Sequence, residues 1–275
     1  MSDIERGVSQ HYAAYDVLAR IEDGLKAMGY GSGPVPPEAI KPVDEFHIGG
    51  AEATAALLDK LDLNGKDVLD IGCGIGGPAR MMAARSDARI TGVDLTPQFV
   101  EAARELSAMT GVGDRVRFEV ASATSLPFAD AVFDIATLLH VGMNIPDKTG
   151  LFREAARVLR KGGVFAIYDV MRLGEGTLQF PVPWAEQEEF SALEPPEVYR
   201  SAAANSGFDL EDEENRAAIA LDFFARIQAQ ASSDAPPAVG LHLLMGPTVK
   251  DKMKNMIAAI RAGIIAPVLM IFRKS

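Results

Sequence analysis

The stretch VLDIGCGIGGPAR, Val68 to Arg80, followed by ITGVDLTP, Ile90 to Pro97, constrains the fold of this chain more than any other segment. Val68, Leu69 and Ile71 make a short apolar run suited to a buried parallel strand. Gly72, Gly74, Gly76 and Gly77 then permit a sharp turn and a close approach of backbone to ligand, because no side chain stands in the way. A second apolar run, Ile90 to Val93, ends in Asp94, 22 positions after Gly72. A carboxylate there accepts hydrogen bonds from both hydroxyls of a ribose. Strand, glycine turn, helix, strand and terminal carboxylate predict an open α/β sheet that binds an adenosine-containing cofactor.

The glycines alone are ambiguous. Gly72, Gly74 and Gly77 satisfy G-x-G-x-x-G, the dinucleotide pattern, while Gly72, Gly74 and Gly76 satisfy G-x-G-x-G. Asp70, two residues before the first glycine, separates the readings: a carboxylate beside the turn repels a pyrophosphate and suits an ammonium or sulfonium. S-adenosylmethionine carries both cations. From Asp44 to Asp169 the chain resembles class I S-adenosylmethionine-dependent methyltransferases, and within them the small-molecule enzymes related to ubiquinone and menaquinone C-methyltransferases and to the sarcosine, phosphoethanolamine and tocopherol methyltransferases. Three further collinear motifs carry the likeness: VRFEVASATSLPF (Val116 to Phe128), FDIATLLHVGMNIPDK (Phe133 to Lys148) and FREAARVLRKGGVFAIYDV (Phe152 to Val170).

The resemblance implies a Rossmann-like, doubly wound seven-stranded sheet, mostly parallel with an antiparallel edge strand, plus an N-terminal helix and C-terminal helical insertions. It also implies S-adenosylmethionine as cofactor, S-adenosylhomocysteine as product, and no metal. The cofactor-binding residues expected are Asp70, Gly72, Gly74, Gly76, Asp94, Leu95, Ser122, Ala123 and Leu139. One position departs from the family: relatives often carry Gly-Asp-Ala after the third strand, where Ala121, Ser122 and Ala123 stand here. Ser122 can still accept a bond from the adenine amino group, without charge.

Composition narrows the acceptor. At 275 residues and 48% hydrophobic, the chain suffices for one sizeable α/β domain with inserted elements. A net charge of −11, a pI near 4.9 and no basic run argue against nucleic acid and point to a small molecule. The lone Cys73 rules out an internal disulfide and fits a reducing cytoplasm; inside the glycine turn it reads as a small buried residue, not a nucleophile. Without a signal segment or a long apolar run, no membrane insertion is expected. The four histidines are scattered, so no metal site is expected.

Along the chain, Ser2 and Glu5 suit a capping box for a first helix with Val8, Tyr12, Tyr15, Leu18, Ile21 and Leu25 at helical spacing. A break from Gly29 to Pro42 leads to DEFHIGG and a helix from Ala51 to Leu61. Strands are expected near 67–71, 89–94, 115–120, 133–139 and 163–170, with helices near 77–86, 97–109 and 148–159, the last stopped by Gly162 and Gly163. A helix near 197–206, strands near 208–213 and 266–273 and a long helical insertion complete the pattern, the final strands pairing antiparallel at the edge by resemblance. Residues 1–50 read as an N-terminal helix and substrate-covering segment; residues 51–275 read as the methyltransferase domain, with inserted covers at about 171–195 and 217–262.

Ligands bind beyond the carboxyl ends of parallel strands, which selects among the polar residues. His140, directly after the fourth strand, is the candidate catalytic residue, able to accept a proton or orient the acceptor, against a structural histidine bonded to backbone. The candidate substrate contacts are Tyr12, Tyr15, His47, Asn144 and Trp184. Each has a plainer reading: core packing for the tyrosines, helix entry for His47, a turn cap for Asn144 and loop packing for Trp184. The acidic run Glu211 to Glu214 reads as a solvated edge. The sequence thus predicts a cytoplasmic methyltransferase acting on a small organic acceptor by in-line displacement. A nicotinamide-dependent oxidoreductase and a non-catalytic S-adenosylmethionine-binding sensor or scaffold are the alternatives. Acceptor atom and oligomeric state stay open.

Overall fold

Seven strands of the computed structural model join one sheet: β1 (Asp67–Ile71), β2 (Arg89–Asp94), β3 (Val116–Val120), β4 (Phe133–Leu139), β5 (Leu159–Arg172), β6 (Phe208–Asn215) and β7 (Ile265–Lys274). The structure describes residue 7 and residues 16–31, 33–230 and 237–275. Across the sheet the order is β3-β2-β1-β4-β5-β7-β6. The β1–β2, β1–β4, β2–β3 and β4–β5 pairs are parallel, and β7 runs antiparallel to both β5 and β6. This is the expected mostly parallel sheet with its antiparallel pair at one edge.

Burial on both faces explains the near-continuous apolar runs. Leu69 and Ile71 enter one core with Phe152, Phe165 and Phe272, while Val68 enters the opposite core with Met82 and Val100. The helices that supply those layers include α3 (Gly50–Leu58), α4 (Gly77–Arg85), α5 (Pro97–Met109), α6 (Lys148–Val158) and α7 (Pro196–Asn205), preceded by α1 (Val17–Ala27) and α2 (Pro37–Asp44). Proline in the first turn of α4, α5 and α7 suits a position whose N–H has no intrahelical partner. Asp147 caps α6 by accepting the Gly150 amide at 2.7 Å.

Two expectations need correcting. Gly162 and Gly163 do not stop α6: that helix ends at Val158, its cap Leu159 is already extended, and Gly162, at φ +74°, shapes a turn within the opening of β5. The helix ends within one residue of its expected bound, but the strand starts at Leu159, four residues before the expected 163, because Leu159 pairs with Phe133 of β4, so the glycines lie inside the strand. The helix after DEFHIGG also ends sooner, at Leu58. Ser2, Glu5, His11, Tyr12 and Tyr15 lie outside the described residues.

Val17, Ile21 and Leu25 of α1 pack against Phe99 and Leu106 of α5, which brings the N-terminal segment onto the sheet's ligand end. The later insertions contain α8 (Ala217–Gln230), α9 (His242–Met245) and α10 (Val249–Arg261). With Trp184 and Val182, α8 and α10 build a separate apolar cluster that includes Phe224, Met256 and Ile260 and rests on Val170 of β5, while Leu243 and Leu244 of α9 join the α1 cluster. The acidic run lies on edge strand β6, where Lys60 holds Asp212 and Glu214 at 2.7 and 2.6 Å. Because β1 lies between β2 and β4, connections leave it in opposite directions and open a crevice at the carboxyl ends of β1 and β4. Gly72 follows β1 there, and His140 follows β4.

Candidate active site

The glycine turn is fixed by its own amides. Gly72 and Cys73 both donate to the Val93 carbonyl, at 2.7 and 2.9 Å, and Gly74 donates to Asp94 Oδ2 at 2.9 Å. Asp94 Oδ1 accepts from Thr96 at 2.9 Å. Gly72 has φ +74°, and a Cβ there would come within 2.3 Å of Val141. Gly74, at φ +53°, is different: an added Cβ would meet nothing within 4 Å, so the missing side chain leaves free space at the wall. Burial pushes the Asp94 carboxyl up, while the Thr96 and Gly74 amides pull it back.

That wall belongs to a cavity of about 370 Å³. Of the residues singled out from sequence, Gly72, Gly74, Asp94, Leu95, Ser122, Ala123, Leu139, His140, His47 and Asn144 line it. Ser122 Oγ lies 3.0 Å from Thr124 Oγ1, which closes the loop after β3. Asp70 and Gly76 do not reach the lining. Asp70 is buried beneath the turn, with Oδ1 accepting from Thr137 at 2.8 Å and Oδ2 unpartnered, and burial pushes its carboxyl up to about 7. A Cβ at Gly76 would come within 2.8 Å of Phe118, so that glycine serves close helix–strand packing.

A second cavity, also about 370 Å³, meets the first at Phe46, His47 and His140, which line both. Trp184 lines only this second one, with Met143, Phe223, Phe224, Met245, Met253 and Met256. His140 has φ +54°, unusual outside glycine, and its amide donates to the Tyr168 carbonyl at 2.7 Å. Its Nε2 is buried without a hydrogen-bond partner. Burial, helped by His47 at a ring separation of 5.7 Å, holds the imidazole well below its ordinary 6.5 and therefore neutral.

His47 belongs to a buried cluster. Its Nε2 donates to the Gly50 carbonyl at 3.1 Å and lies 3.0 Å from Thr54 Oγ1, which donates to Glu45 Oε2 at 2.8 Å. Burial takes His47 down to about 4 and Glu45 up to about 8. Behind His140, Tyr199 donates to Asp169 Oδ2 at 2.7 Å, and a Cβ at Gly142 would come within 2.1 Å of that same oxygen. Lys148 donates to the Ile145 and Ala192 carbonyls, at 2.5 and 2.9 Å. Asn144 Nδ2 donates to the Trp184 carbonyl at 3.0 Å, tying the turn after His140 to the cover. Asn144 thus bonds the backbone of Trp184 as well as lining the first cavity.

Sequence reasoning missed Asp44, Glu45 and Phe46 as site residues, although DEFHIGG had drawn attention to His47. It also missed the methionine and phenylalanine wall. Met253 and Met256 stand at helical spacing, which reads equally as core. Among the described residues no group of three or more His, Cys, Asp and Glu comes together to hold a metal ion, and no helix is long and apolar enough to cross a membrane.

The sheet order, the glycine turn at its switch point and the cavity beside Asp94 define a class I methyltransferase fold. Residues 69–167 match the Methyltransf_11 family model, described as a methyltransferase domain. The chain is 38% identical over 139 residues to the methyltransferase GfsG of Streptomyces halstedii, covering 50% of this chain and 49% of that protein. It is 42% identical over 125 residues to 27-O-demethylrifamycin SV methyltransferase of Amycolatopsis mediterranei (strain S699), covering 44% and 46%. The chain thus spans about half the length of these curated relatives. Geranyl diphosphate C-methyltransferase from Streptomyces coelicolor A3(2), solved with Mg2+, geranyl diphosphate and S-adenosylhomocysteine, superposes with a TM-score of 0.70 at 19% identity over 100% of this chain and 99% of that one. The likeness to that structure is one of fold. None of these comparisons favours a nicotinamide enzyme.

Proposed function

We propose that the protein transfers a methyl group from S-adenosylmethionine to a small organic acceptor, with the cofactor in the first cavity and the acceptor in the second. The observation that carries this reading is the meeting of the two cavities at His140, whose Nε2 is buried and unpartnered.

The first cavity fits the cofactor. Gly74 leaves open space at its wall, and Asp94 lines it at the end of β2, where a carboxylate suits a ribose diol. Leu95, Ser122 and Ala123 would border the adenine, and Gly72 and Leu139 the methionine end. Asp70 lies beneath the turn at that end, supporting the glycine turn and not touching the cavity. When bound, S-adenosylmethionine supplies a methyl group on a sulfonium, whose transfer leaves S-adenosylhomocysteine and requires the acceptor to shed a proton.

The chain's own residues then have limited tasks. Apolar walls exclude water, and the two cavities hold acceptor and methyl donor in line, the main source of rate in such a displacement. Burial keeps His140 neutral, and its unpartnered Nε2 is the group placed to accept the acceptor's proton or to orient the acceptor. His47 and Asn144 orient the groups around it, and Trp184 roofs the acceptor. Residues 1–50 act as a covering segment, with Tyr12 and Tyr15 as its candidate substrate contacts. Acidic charge and a single buried cysteine support a cytoplasmic enzyme that does not bind nucleic acid. Mass spectrometry of a metabolite extract incubated with the protein and methyl-deuterated S-adenosylmethionine tests the reading: a labelled product is expected, and its absence while S-adenosylhomocysteine binds favours the non-catalytic alternative.

A further inference from the structure

The second cavity is chemically one-sided. Met143, Met245, Met253, Met256, Phe223 and Phe224 contribute thioether and aromatic surface to its wall. Trp184 adds its ring, with the indole N–H already donating to Ser191 Oγ at 2.9 Å. Among the described residues no arginine lines the cavity. Lys41 and Glu52 are exposed members of the lining, and Glu52 is engaged by Arg226 at 2.6 and 3.1 Å. Among the described residues the remaining titratable groups in the wall are Glu45, His47 and His140. Burial takes each toward its uncharged form, with Glu45 at about 8 and His47 at about 4. Among the described residues a phosphate finds no buried cation in this wall, and an ammonium finds only Glu45, its one buried carboxyl, which is pushed toward the protonated form and accepts from Thr54. Stripping either ion of water would go uncompensated.

His140 also lines this wall, and its buried Nε2 is without a hydrogen-bond partner. A ligand hydroxyl would satisfy it, at the point where the cavity meets the cofactor's. We infer that the second cavity takes an uncharged, predominantly apolar alcohol or phenol, its hydroxyl donating to His140 Nε2 and its carbon skeleton lying against the methionines. This rests on the two-cavity reading above, and it adds the acceptor's charge, polarity and reacting atom. A volume of about 370 Å³ suits a drug-sized skeleton. Methionine side chains adapt to irregular surfaces, so related skeletons should be tolerated.

Trp184 is the sole tryptophan, so its emission reports on this cavity. 1-Decanol, decylammonium and decyl phosphate would be titrated into the protein while S-adenosylhomocysteine binding is measured separately by calorimetry. Decanol should shift Trp184 emission and bind at least ~10-fold more tightly than either ion, a gap equal to ~1.4 kcal/mol. The variant Phe223→Lys places a cation in the wall at a half-buried position. It should weaken decanol and strengthen decyl phosphate, with calorimetry of S-adenosylhomocysteine verifying that the fold is intact. Equal or tighter binding of decyl phosphate or decylammonium to the unmodified protein would overturn the inference. So would an emission that no probe moves in a protein that binds S-adenosylhomocysteine. Failure to bind S-adenosylhomocysteine while decanol still binds would instead count against the function proposed above.

Discussion

Asp94 accepts the Gly74 amide through Oδ2 at 2.9 Å, tying the end of β2 to the glycine turn that follows β1. The same carboxylate accepts from Thr96 through Oδ1, so both oxygens are oriented by backbone while they line the cavity. Hydrogen bonds to a charged group are worth roughly 1.5–3 kcal/mol, so Asp94→Ala should weaken S-adenosylhomocysteine binding roughly 10- to 100-fold by calorimetry. Asp94→Asn should lose less, because one oxygen remains.

His140 combines a left-handed backbone with a buried unpartnered Nε2. Asparagine tolerates that conformation better than other residues with a Cβ, so His140→Asn removes the base with little added backbone strain. Turnover should fall on the order of 10²-fold or more while S-adenosylhomocysteine affinity is retained. Equal losses in both would assign the histidine to binding.

Stability should depend on pH in a definite direction. Glu45 and Asp70 are raised from 4.5 and 3.8 to about 8 and 7, so each binds its proton more tightly in the folded state. Their contribution is full below the unfolded values and is lost as pH rises through the folded ones. His47, lowered from 6.5 to about 4, acts oppositely and gains stability as pH rises through that interval. The effects oppose one another below about pH 6.5; above it only the carboxyls remain in play. Chemical denaturation should therefore show stability falling from pH 6.5 to 8, by at most ~1.4 kcal/mol per pH unit for each group. Glu45→Gln should flatten that decline.

Gly142 stands where a methyl group would press on Asp169 Oδ2 at 2.1 Å and on the Tyr199 hydroxyl at 2.5 Å. Gly142→Ala should cost on the order of 1–3 kcal/mol, lower Tm and shift the turn that carries Asn144. Tyr199→Phe should cost about 1–3 kcal/mol by leaving the buried Asp169 oxygen without its donor, without altering that turn's space.

The parallel sheet was legible because each strand declares itself locally: β1, β2 and β4 have the bounds that their apolar runs and flanking glycine or aspartate predict. The first cavity followed, since strand ends at a switch point converge by topology. Where pairing acts at a distance the sequence was a poorer guide. Gly162 and Gly163 mimic a helix stop, yet pairing with Phe133 starts the strand earlier. The acceptor wall was hidden for the same reason: Met143, Trp184, Phe224 and Met256 come from separate segments, and each alone looks like ordinary core. Asp70 shows a third limit. Its position beside the turn was evident, but its side chain lies below the lining, a direction set by the pleat and by Thr137.

The most direct test of the account is calorimetric titration of the protein with S-adenosylhomocysteine and, separately, with NADH. The account predicts saturable binding of S-adenosylhomocysteine that Asp94→Ala weakens, and no binding of NADH. Binding of NADH in its place, or S-adenosylhomocysteine affinity unchanged in Asp94→Ala, would contradict the assignment of the first cavity.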